Sequence, residues 1–186
     1  MKRVLIVYAT VEGHTRKIAA FLAKEADKLG FLAVLHNAAE DAARVHPTNF
    51  EKVIVLSPVH MDKHHSAIEQ FLADEAPSLR DDNSALLSVS VSAAGEAEDR
   101  YLAWEYTRTL LASLSWRPAY VEIVPGALKP TENDFFKRWA MRRLAHKKRV
   151  PIKGGDYEYT DWQELSRFIN RFLTEVAKPP PVSSRA

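Results

Sequence analysis

Cysteine is absent from this sequence, which excludes disulfides, thiolate metal sites and cysteine nucleophiles, so any electrons the chain transfers must be carried by a bound cofactor. Long apolar runs are missing as well: no window approaches the roughly 18 consecutive apolar residues of a membrane-spanning helix. The chain passes from Met1-Lys2-Arg3 straight into a short strand-like run, without the apolar stretch and cleavage site of a secretory signal, and a cytoplasmic location is expected. Glycine is scarce, with 6 residues, and neither Gly-x-x-x-x-Gly-Lys nor Gly-x-Gly-x-x-Gly occurs. What remains is 186 residues with 46% hydrophobic content, enough to bury one sizeable core. One domain over 1–178 is expected, with 179–186 as a disordered tail rich in serine and proline.

The chain is organised around its first strand and turn. Val4 to Val7 is an unbroken apolar run, the pattern of a strand buried on both faces of a parallel sheet. Thr10, Gly13 and Thr15 follow before a helical pattern begins. Such a loop can hold a monoester phosphate, because two hydroxyls, a permissive glycine and the free N–H groups of a helix start converge there. An ordinary strand-to-helix turn with a good cap would look the same.

Further along, buried strands alternate with amphipathic helices. Strands are predicted at Phe31 to Leu35, Lys52 to Leu56, Ala85 to Val91 and Tyr120 to Val124. Helices are predicted at His14 to Leu29, from Ser66 toward Pro77, at Ala97 to Leu114 and at Asp161 to Ala177, the last capped by Thr160 or Asp161. The stretch from Asn37 to Asn49 reads as a surface loop or short helix. This order implies an α/β three-layer sandwich on a parallel sheet with right-handed crossovers. Tyr101 and Trp104 could stack on a flat ligand, but aromatics at helical spacing are more often core, and the core is the expectation for both. Ser57 to His65 reads as a loop at the carboxyl end of a strand, where open α/β sheets bind ligands; its three histidines invite a metal, but no acidic or histidine partner at ligand spacing accompanies them.

Charge is unevenly placed. Lys129 to Lys153 holds nine Lys/Arg against Glu132 and Asp134, a local net of +7, so the rest of this +2 chain carries −5. Within it, Asp134 to Arg149 puts Phe136, Trp139, Ala140 and Leu144 on one side of a helix and the bases largely on the other. Three readings compete: adsorption to an anionic membrane, a packed surface helix, or a nucleic-acid patch. The density of large apolar residues favours the first and makes nucleic acid an unexpected partner.

Taken together, Thr10-x-x-Gly13-x-Thr15, His65-Ser-Ala67, Ser115-Trp-Arg-Pro118, Pro125-Gly-Ala-Leu128, the basic insertion and Tyr159-Thr-Asp-Trp162 resemble one branch of the flavodoxin superfamily. That branch is the flavodoxin-like, quinone-dependent protoporphyrinogen IX dehydrogenases, and the likeness covers nearly the whole chain. The resemblance implies a flavodoxin-like sheet in order 2-1-3-4-5 with a basic insertion at 129–155. It also implies FMN as cofactor, protoporphyrinogen IX as substrate, a membrane quinone as acceptor, and a peripheral site on the inner face of the cell membrane. By position, the FMN phosphate would lie on Thr10, Val11, Glu12, Gly13, His14 and Thr15. Pro58, Val59, His60, Met61, Asp62, Lys63 and His64 would flank the isoalloxazine on one side, and Ser90, Val91, Ser92, Ala93, Ala94 and Gly95 on the other. The family tends to have an aromatic followed by glycine where this chain has Met61-Asp62; that substitution counts against easy one-electron chemistry and leaves two-electron hydride transfer untouched. The resemblance supplies no acid or base. Alternatives are a flavodoxin-type electron carrier, against which the basic insertion argues, and an FMN-dependent quinone reductase.

Overall fold

The structure is a computed structural model that describes residues 1–114, 116–128 and 157–175. The predicted basic insertion, the tail and the last residues of the predicted final helix lie outside the described residues.

Five parallel strands form the central sheet: β1 (Lys2–Tyr8), β2 (Phe31–Asn37), β3 (Lys52–His60), β5 (Ser84–Ser90) and β6 (Tyr120–Pro125). They lie in the order β2-β1-β3-β5-β6, the order expected for the five predicted strands. Two short antiparallel elements were not predicted. β4 (Lys63–His64) folds back on the end of β3, and β7 (Ala127–Leu128) pairs with β8 (Tyr157–Glu158) in a separate ribbon.

Alternation along the strands sends side chains to two cores, one on each face of the sheet. Val4, Ile6, Ile54, Leu56, Leu87 and Val89 face α1 (His14–Lys28) and α4 (Trp162–Thr174), where Leu22, Phe168 and Phe172 fill the space. Leu5, Val7, Val53, Val55 and Leu86 face the other way, toward α2 (Ser66–Glu75) and α3 (Ala97–Ala112). Trp116 is 1% exposed at the base of that second core and donates its indole N–H to Ser84 Oγ at 2.7 Å, a physical reason for the tryptophan in Ser115-Trp-Arg-Pro118. Asp161, rather than Thr160, caps α4, accepting from the N–H groups of Gln163 and Glu164.

One packing expectation is overturned. Tyr101 and Trp104 do not enter the core: they are 61% and 39% exposed, as is Leu102 at 45%. The helix instead rests on Ala103, Thr107 and Leu110. Two of those three are small side chains, so the helix can lie close to the sheet and leave its aromatics outside.

Candidate functional site

The carboxyl ends of β1, β3 and β5 bring three loops to one edge of the sheet, the edge where open α/β sheets take ligands. The first loop joins β1 to α1. Gly13 has φ +85, a left-handed conformation, with nothing within 4 Å of where a Cβ would stand, so any larger residue would meet strain and not a clash. Its N–H donates to Thr10 Oγ1 at 2.9 Å, which folds the loop into a tight turn ahead of the helix. Thr15 is buried, Thr10 half-buried and Val11 exposed. No acidic residue sits in the first turn of α1, so no side-chain charge there offsets the positive end of the helix, an arrangement suited to an anion.

His14 sits in this loop, half-buried, with its ring directed toward Thr160 and Glu158. Thr160 donates to the Pro125 carbonyl at 2.7 Å, so its hydroxyl accepts from His14 Nε2–H, also at 2.7 Å. His14 Nδ1 stands 4.0 Å from Glu158. Lys17 bonds Glu158 at 2.6 Å and, as the leading cause, holds that carboxyl below its usual range; the Trp162 indole donates to the same group. The side chain of His14 thus ties the loop to β6 and β8. Local pattern reading missed Thr160 and Glu158 as parts of this arrangement, because both partners lie more than a hundred residues from the loop.

The second loop is shorter than expected. Pro58, Val59 and His60 continue β3, Lys63 and His64 form β4, and only Met61 and Asp62 remain as the turn between the paired His60 and Lys63. Both turn residues have positive φ, 50° and 64°. Two-residue hairpins need that geometry because it matches the strand twist; aspartate tolerates it, whereas methionine is strained by about 1 to 2 kcal/mol. The turn thus occupies the left-handed region without a glycine. Tyr106 of α3 donates its hydroxyl to Asp62 Oδ1 at 2.6 Å.

The histidines of this stretch do not converge. His65 Nδ1 accepts from the Ala67 N–H and caps α2, which explains His65 before Ser-Ala. His64 is 7% exposed, and its Nδ1 lies 2.8 Å from Ser57 Oγ. Burial pushes its pKa from 6.5 down to about 4, against partial opposition from the Tyr106 backbone carbonyl. The unfolded chain therefore takes up this proton near pH 6.5 and the folded chain only near pH 4. Stability present above pH 6.5 is lost as the pH falls toward 4, by as much as about 3 kcal/mol from this group. Denaturant titrations at pH 7 and pH 4.5 should show a smaller acid loss for His64→Gln than for the parent; parallel losses would mean another group is responsible.

The third loop follows β5. Ser90 Oγ accepts from the Ala93 N–H at 3.1 Å, and the Gly126 N–H donates to Ser90 O at 2.9 Å. Ser92–Ala94 forms a single 3₁₀ turn with Ala93 buried and Val91, Ser92, Ala94 and Gly95 half-buried. Glu96 and Asp99 then close a capping box at the start of α3, so α3 is fixed at its first turn to one loop and, through Tyr106, to another.

The family model described as a flavodoxin domain matches residues 5–152. The chain belongs to the flavodoxin-domain family. This flavodoxin domain is 26% identical over 95% of its length to the Escherichia coli (strain K12) protein named protoporphyrinogen IX dehydrogenase [quinone], covering 98% of that protein. It is 25% identical, again over 95% of its length, to a Leishmania major protein of the same name, covering 77% of that one. Among solved structures, oxidised flavodoxin 1 from Bacillus cereus superposes with a TM-score of 0.55 at 11% identity, over 94% of this chain and 99% of that one. That likeness speaks for the flavodoxin fold, strand order included.

Proposed function

We propose that this flavodoxin domain is an FMN-dependent enzyme that removes hydrogen from protoporphyrinogen IX and delivers the electrons to a membrane quinone, a step of haem biosynthesis. The carrying observation is the end-to-end similarity to proteins named for that reaction, 26% identity over 95% of this chain and 98% of the Escherichia coli protein. Such coverage ties the likeness to the whole chain and not to the fold's nucleotide-binding half alone.

The residues present fit FMN. Its phosphate would sit on Thr10 to Thr15, against the open first turn of α1 and the left-handed Gly13. The isoalloxazine would lie between Pro58 to His64 and Ser90 to Gly95, which the sheet brings to the same edge. Bound FMN supplies the hydrogen acceptor, and this is the chemistry that a chain without cysteine needs a cofactor for. The protein's own part is placement: α1 fixes the phosphate end, while the hairpin and the 3₁₀ turn fix the ring's borders.

A membrane quinone is apolar, and protoporphyrinogen, though it carries two propionates, has a large apolar macrocycle, so both suit a reaction at the bilayer surface. Among the described residues no helix is long and apolar enough to cross a membrane. The sequence of residues 134–149, with seven Lys/Arg, Phe136 and Trp139, supports docking to an anionic bilayer on its cytoplasmic face.

The test is direct. Purified, FMN-loaded protein given protoporphyrinogen IX and a short-chain quinone under anaerobic conditions should generate porphyrin fluorescence at a rate proportional to enzyme. It should also restore growth to a strain lacking its own enzyme for this step. A soluble, flavin-loaded protein that does neither would overturn the substrate assignment and favour an FMN-dependent quinone reductase.

A further inference from the structure

The hairpin turn at Met61–Asp62 holds two consecutive left-handed residues with no glycine, and strain of this kind persists only where its surroundings impose it. Below the turn, His64 is fixed inward by Ser57. Above it, the Tyr106 hydroxyl donates to Asp62 Oδ1 at 2.6 Å. Bonds from a hydroxyl to a carboxylate are short and about twice as strong as neutral ones. Burial, then Asp62 itself, pushes the Tyr106 pKa up to about 12, in keeping with a hydroxyl that donates to a carboxylate. Tyr106 stands on α3, whose first residue, Ala97, is two positions past Gly95 and whose cap is closed by Glu96 and Asp99. One helix thus spans from the loop after β5 to the turn after β3.

We propose that Tyr106 is a positioning residue: through Asp62 it clamps the β3–β4 turn to α3 and so sets the separation of the two loops that border the flavin ring. The inference rests on the functional reading above, and it goes further by naming what holds the ring slot at its working width. The clamp acts on the ring and not on the phosphate, because the Thr10 to Thr15 loop belongs to α1, on the opposite face of the sheet from α3.

That separation of roles gives the test. Riboflavin has the ring without the phosphate, so flavin-fluorescence titrations with riboflavin and FMN read the two parts independently. Tyr106→Phe keeps the aromatic ring and removes the donor; it should weaken both flavins by the same factor, roughly tenfold. Asp62→Ala should do likewise, and the double variant should lose no more than either single one. Asp62→Asn retains an acceptor and tolerates positive φ, so it should bind close to the parental level. A general loss of structure would lower the melting temperature without this pattern of non-additivity and rescue. Asp62 lies on an exposed turn, so its variants keep the test valid should Tyr106→Phe fold poorly. Parental affinity for both flavins in Tyr106→Phe and Asp62→Ala, or losses that multiply in the double variant, would overturn the clamp while leaving the functional reading intact. A parent protein that binds neither flavin would sink the functional reading and the clamp together.

Discussion

Replacing Thr15 by glutamate should abolish retention of FMN through desalting and leave riboflavin affinity nearly unchanged. Thr15 is the second residue of α1, 3% exposed, in a first turn that contains no acidic side chain. A carboxylate there takes over the role the anion would play, satisfying the helix's positive end, and this interaction offsets part of the cost of placing a longer, charged side chain at a buried position. Against a phosphate about 4 Å away it is repulsive by roughly 1 to 4 kcal/mol per unit charge, depending on local screening. Each 1.4 kcal/mol is about tenfold in affinity, so two negative charges on the phosphate are enough to empty the site at micromolar protein. Circular dichroism of the variant checks the fold. A Thr15→Glu protein as yellow as the parent after desalting would show that the phosphate does not lie on this loop.

The sheet was legible because its signal is local. Val4 to Val7 is entirely buried, and four consecutive apolar residues are what a central parallel strand leaves in a sequence. Gly13 and Gly30 flank α1 in the sequence, and both have positive φ, so residues suited to breaking a helix stand where this one starts and stops. The hairpin after β3 was less legible: a proline and three histidines look like loop, yet Pro58 is buried in β3 and two residues are enough for β4. The facing of α3 could not be read either. Apolar residues surround much of that helix, and the residues that meet the sheet, Ala103 and Thr107, are the ones a search for large side chains passes over. The ties between elements are the least accessible of all. Tyr106 and Asp62 are 44 residues apart, and His14 and Thr160 are 146 apart; no periodicity records such pairs, and they exist only once the sheet order has brought the loops together. The candidate site was therefore located from sequence by its loops, whereas what holds those loops required the fold.

Deleting residues 134–149 should spare FMN retention and collapse turnover with quinone in membranes by more than tenfold. The loops proposed to hold FMN come from β1, β3 and β5 and their connections to α1 and α3, all outside the deleted stretch. What the deletion removes is seven Lys/Arg together with Phe136, Trp139 and Leu144, in a spacing that predicts an amphipathic helix. Each base near an anionic surface contributes up to about 1 kcal/mol, and the attraction weakens as salt shortens the Debye length to about 10 Å at 0.1 M. Intact protein should therefore sediment with anionic vesicles at low salt, release at high salt, and bind neutral vesicles weakly, while the deletion variant binds neither. Its rate with a short-chain, water-soluble quinone should stay close to the parental rate, because that acceptor needs no bilayer. This contrast separates an enzyme that works at the membrane surface from a flavodoxin-type carrier, which would reduce its acceptor equally well without the basic segment. Parental turnover of membrane quinone by the deletion variant, or an intact protein that ignores anionic vesicles at low salt, would remove the membrane from the proposed function.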